Sequence, residues 1–138
     1  MSIRLPGINI QQPWSQLLLS GEKAIETRTY RLPDKYVGKP FWLVETPGLD
    51  RSHVATVIGV ITFGGAIEYL TKKQFADDFD RHLVPVDHPL FGFRLNRAKY
   101  GWTVLSVSGV EPFEPAVRRG IVYTSPFPRP NPILIKRL

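Results

Sequence analysis

Cysteine is absent from the 138 residues, which excludes disulfides and thiolate chemistry. No apolar run approaches the roughly 20 residues that span a bilayer, so no membrane partner is expected. The opening MSIRLPG lacks the apolar core of a secretory leader. These absences make the cytoplasm the expected compartment. Histidine is scarce: His53, His82 and His88 stand far apart, and none has metal-ligand spacing with another. No metal and no cofactor are expected. Internal repeats and flexible linkers are also missing. Residues 1–138 are therefore expected to form one domain, with a monomer favoured.

What is present is an ordinary globular composition, 43% apolar, with a formal charge of +6. A small basic domain suits phosphate-bearing partners, although solubility alone also accounts for such a charge. Pro13, Trp14, Leu17 and Leu18, closed by Gly21, give a short helix over 13–20. A strand over 23–30 follows. FWLVET (41–46) reads as a buried strand. VATVIGVITFGGAIEY (54–69) reads as a strand interrupted by Gly59 and ended by Gly64 and Gly65. Thr71 and Gln74 form a capping box that opens a second short helix. LFGFRLNRA and WTVLSVSGV read as two further strands around Tyr100 and Gly101. The proline-rich stretch within 121–138 cannot support a regular ladder, and is expected to run extended over the domain's own surface. The elements make an α+β domain, a small curved β-barrel of about five to six strands with short helices at its openings.

The charges concentrate where the first helix hands over to the next strand, in GEKAIETRTY. Strand alternation puts Ala24, Glu26 and Arg28 on one face, with Ile25 and Thr27 on the other. Glu26 and Arg28 lie about 7 Å apart along the backbone, within reach of each other. Lys23, at the turn, is free to point either way. One reading is a surface ion pair of little energetic worth. The other is a cleft where Glu26 orients Arg28 and Lys23 adds a second cation, an arrangement suited to a phosphate or a polar base edge. Trp14 and Tyr30 flank this corner. Aromatic faces beside cations are what single-stranded nucleic acid uses.

The stretch QQPWSQLLLSGEKAIETRTY resembles the opening of the ASCH domain, the activating-signal-cointegrator homology domain of the PUA-like superfamily. The shared pattern is Q-P-W, a short helix, then G-x-K-x-x-E-x-R, matched by Gln12, Pro13, Trp14, Gly21, Lys23, Glu26 and Arg28. FWLVET, VIGVITFGGAIEYLTKKQF and YGWTVLSVSGVEPF, with Trp102, are similar to the strands and helix that follow in that family. The likeness spans about residues 7–120. It implies a PUA-like β-barrel whose basic cleft binds RNA or DNA, RNA being favoured and single-stranded RNA one form of it. Lys23, Glu26 and Arg28 would line that cleft. The implied contacts to nucleic acid are Trp14, Lys23, Glu26, Arg28, Tyr30 and Arg119.

Family activities diverge. Members that hydrolyse N4-acetylcytidine share the lysine but have threonine where this chain has Glu26, so the candidate nucleophile is missing here. Asp78 is a loose stand-in for their later acid, on a helix that reads as solvated. Other members look like ribonucleases with a lysine-centred site. A metal-independent ribonuclease would use Lys23 and Glu26 as its catalytic residues. Glu45, inside the apolar LVET run, is a second candidate acid or an outward-facing strand residue. Ser106 and Ser108 share one strand face, to contact phosphate or simply to fit a tight barrel. Arg94, Arg97, Lys99, Arg118, Arg119, Arg129, Lys136 and Arg137 would form a phosphate track if they gather at the cleft mouth.

Overall fold

Alternating apolar residues build a mixed sheet in the computed structural model, which describes residues 3–47, 54–116 and 122–130. The elements run β1 (Arg4–Leu5), β2 (Gly7–Gln11), α1 (Trp14–Ser20), β3 (Ile25–Arg28), β4 (Pro40–Thr46) and β5 (Thr56–Glu68). Then come α2 (Lys72–Asp77), α3 (Phe79–His82), β6 (Tyr100–Phe113) and β7 (Phe127–Pro128). Five strands pair in the order β2-β4-β5-β6-β3, while β1 and β7 pair separately. The β2–β4 pair is parallel and the other three contacts are antiparallel.

β4 explains how two apolar layers form on one sheet. Phe41 and Leu43 face a core with Ile8, Ile10, Ile61, Phe63 and Trp102. Trp42 and Val44 face the opposite way, onto Val57, Phe113 and Phe127. Burying each such side chain contributes about 1.5–3 kcal/mol. A third cluster, Tyr69, Phe75 and Val84, seats α2 and α3. The capping box forms: Thr71 Oγ1 accepts from Gln74 N at 3.1 Å, and Gln74 Oε1 accepts from Thr71 N.

The expected closed barrel does not form. β2 and β3 are the two ends of the sheet. The outer edge of β2 is instead taken by the chain's late segment. Asn9 N donates to Val122 O, Thr124 N donates to Gly7 O, and Ile8 bridges Tyr123. With its backbone groups so used, β2 cannot pair with β3, and a seam remains between them.

Several elements differ from the sequence reading. The strand read over 23–30 is shorter, Ile25–Arg28, and the proline-rich stretch does give a two-residue ladder, β7 on β1. GINIQ is a strand that went unread, its alternation too short to stand out. β5 does not end at Gly64 and Gly65 but continues to Glu68, the register shifting between Phe63 and Gly65. LFGFRLNRA is not a strand. Its turns are held locally: His88 Nδ1 accepts from the amides of Leu90 and Phe91, and Phe93 N donates to Val86 O. Among the described residues, no helix is long and apolar enough to cross a membrane.

Candidate functional site

The site begins where α1 stops. Gly21 adopts φ 86°, a left-handed cap that costs glycine little, and its amide donates to Leu18 O at 3.2 Å. The chain turns back, Lys23 N donates to Leu17 O at 2.9 Å, and β3 docks on β6. Alternation then acts as expected: Ile25 enters the core and Glu26 faces the seam opposite Trp102.

Lys23 is only 1% exposed. Its Nζ donates to His82 O, at the end of α3. It also lies 5.0 Å from the centroid of the Trp14 ring and 4.0 Å from Glu26 Oε1. Burial lowers its pKa to about 8. Glu26 opposes that shift, and Arg28 and Lys99 add to it.

Arg28 is engaged through all three of its side-chain nitrogens. Its Nε and Nη2 hold Glu26 Oε2 at 3.0 and 2.9 Å, its Nη1 donates to Tyr30 OH at 3.0 Å, and its Nη2 donates to Asn9 O at 3.0 Å. The last bond crosses the seam from β3 to β2, so a side chain bridges the gap that backbone bonds would close in a barrel. Burial alone would lower the arginine's pKa, but Glu26 and Tyr30 outweigh it and the net shift is upward.

Beside these groups lies a cavity of about 610 Å³. Trp14, Lys23, Glu26, Arg28 and Tyr30 all line it. Arg119, Arg118, Lys136, Arg137 and His53 lie outside the described residues. Two cations from the late loop, Arg97 and Lys99, reach the same cavity, whereas Arg94 and Arg129 do not line it. Lys99 is buried, and its Nζ donates to Phe91 O at 3.0 Å. Burial, followed by Arg97 and Arg94, depresses its pKa, against Glu26.

The other candidates stand apart. Glu45 is buried at 7% exposure rather than facing outward. Ser15 Oγ, Gln16 Nε2 and Gln12 Nε2 donate to it at 2.8, 2.6 and 3.1 Å, tying the start of α1 to β4. Asp78 caps the end of α2, a helix exposed at every residue but Phe75, and is itself half-buried. Burial would raise its pKa, but the pair with Arg81 and the bond from Tyr69 OH outweigh it and the net shift is downward. Ser106 and Ser108 are exposed, so tight packing does not explain them. Sequence reading missed Asn9, Gln11 and Phe91 in the lining. Asn9 and Gln11 sit on the unread strand, and Phe91 on the loop taken for one.

No family model matches the sequence, and no curated protein does. Solved structures do match the fold. An ASCH structure from Zymomonas mobilis superposes with a TM-score of 0.62 at 14% identity, covering 79% of this chain and 72% of that one. The chain has the ASCH fold. A tyrosine-to-phenylalanine variant of the same ASCH protein gives 0.61 at 14% identity, with 79% and 74% covered. A serine-to-alanine variant gives 0.58 at 13%, with 79% and 72% covered. The ASCH fold therefore stands on shape.

Proposed function

We propose that this ASCH-fold domain binds nucleic acid, with RNA as its partner, in the cleft between β2 and β3. The observation that carries the reading is the convergence of Lys23, Glu26 and Arg28 with Trp14 and Tyr30 on one cavity. Aromatic faces offer stacking that tolerates any base. Arg97 and Lys99 on the same cavity supply positive potential for the strand's phosphates. A volume of about 610 Å³ falls within the range of small-molecule sites and suits one nucleotide at a time.

One observation favours a second reading, metal-independent RNA cleavage. Lys23 has its pKa lowered to about 8 and lies 4.0 Å from Glu26 Oε1. A neutral lysine, or Glu26, would take the proton from a 2′-hydroxyl, whose oxygen attacks phosphorus while the 5′-oxygen leaves and picks up a proton from water. The products would be a 2′,3′-cyclic phosphate and a 5′-hydroxyl. Hydrolysis of N4-acetylcytidine has no hydroxyl nucleophile at position 26 to support it.

The test is labelled single-stranded RNA with chelator, at low salt, against wild type and Lys23→Met. A shifted, intact RNA supports binding. Cleavage by wild type alone supports the enzyme. Failure of wild type both to bind and to cleave contradicts both readings.

A further inference from the structure

The hydrogen-bonding groups inside the cavity are unequal. Arg28 spends Nε, Nη1 and Nη2 on Glu26, Tyr30 and Asn9. Lys23 Nζ gives one of its hydrogens to the His82 carbonyl, and Lys99 Nζ one of its own to the Phe91 carbonyl. Glu26 differs. Its Oε2 is taken by Arg28, whereas its Oε1 stands 4.0 Å from Lys23 Nζ. That is beyond hydrogen-bond range. The interior thus presents Glu26 Oε1 as an acceptor without a donor in range, beside lysine N–H groups that still have hydrogens to give. A phosphate brings no hydrogen to it and is repelled by its charge. A base edge brings an N–H.

We propose that the cavity takes a single unpaired base, edge first, and that Glu26 Oε1 accepts an N–H from its Watson–Crick edge, leaving the phosphates outside near Arg97. This rests on the nucleic-acid reading above and adds what the cavity itself recognises. Uracil N3–H, the amino groups of cytosine and adenine, and guanine N1–H all satisfy the acceptor. Sequence preference is therefore shallow. Uracil that is paired in a duplex, or methylated at N3, has no N3–H to give. Lys23, beside the same oxygen, lies where an adjacent carbonyl or ring nitrogen of the base would meet positive charge.

The experiment compares three ten-residue strands of equal charge on the unaltered protein: oligouridylate, its N3-methyl counterpart, and an abasic ribose-phosphate strand. The expected result is that the methylated and abasic strands bind at least about tenfold more weakly than oligouridylate. Glu26→Gln, which keeps an acceptor of the same shape, should retain part of the discrimination. Glu26→Ala, if it folds, should abolish it. Equal affinity for oligouridylate and its methylated form overturns the inference while leaving nucleic-acid binding intact. Abasic binding as tight as oligouridylate overturns it in favour of phosphate in the cavity. No binding by any strand at low salt removes the underlying reading, and the inference with it.

Discussion

At the scale of single residues, the site is a set of mutually dependent charges. Arg28 is the keystone, because one planar guanidinium serves Glu26, Tyr30 and the Asn9 carbonyl together. Lysine cannot reproduce that fork. Arg28→Lys is expected to cost about 3 kcal/mol, the scale of a broken buried pair, read as a lower denaturation midpoint with an unchanged slope. Lys23 gives a pH signature. Its folded pKa, about 8, lies below the 10.5 of a free lysine. Above pH 8 the folded protein releases this proton while the unfolded chain still holds it, so this group adds stability as pH rises. Between pH 8 and 10 wild type should gain on the order of 2 kcal/mol relative to Lys23→Met, measured by urea unfolding. A flat difference would show that Lys23 is not desolvated. The charged handover was legible in the sequence because strand alternation alone puts Glu26 beside Arg28. The burial of Lys23 was not, since it depends on the His82 carbonyl, which is 59 positions away.

At the scale of elements, the long pair β5 and β6 is broken by register shifts. Gly59 sits at a register shift, and a Cβ there would fall 2.6 Å from the Ser108 carbonyl oxygen. Gly59→Ala should therefore destabilise by about 1–3 kcal/mol. Gly65→Ala meets nothing within 4 Å and should stay within about 0.5 kcal/mol. Equal effects in thermal unfolding would contradict this account of the bulges. α1, α2, β4 and β6 could be read from caps and alternation. β2 could not, because GINIQ offers only five residues and its partner β4 is parallel and distant in sequence. The loop around Phe91 misled for a related reason. Its apolar residues close a helix cluster and a cavity wall rather than a sheet face.

At the scale of the whole molecule, the open seam is what separates this structure from a closed barrel. Three readable facts pointed to a barrel: many short strands, frequent turn residues and helices at the ends. None revealed that residues 122–124 would occupy the edge of β2. The surplus charge of +6 should express itself in RNA affinity. With about three phosphates contacted, log K should fall against log salt with a slope near −2, or about 20-fold between 50 and 200 mM. The three tryptophans then locate the RNA. Trp14 lines the cavity, whereas Trp42 is buried in the opposite layer with its indole N–H bonded to Phe127 O at 2.8 Å. The decisive measurement is a titration of the nitrogen-15-labelled protein with single-stranded RNA, following the indole N–H resonances. The Trp14 resonance should move progressively while that of Trp42 stays in place. Saturable RNA binding that leaves Trp14 unmoved would put the nucleic acid elsewhere on the surface and contradict the assignment of the cleft.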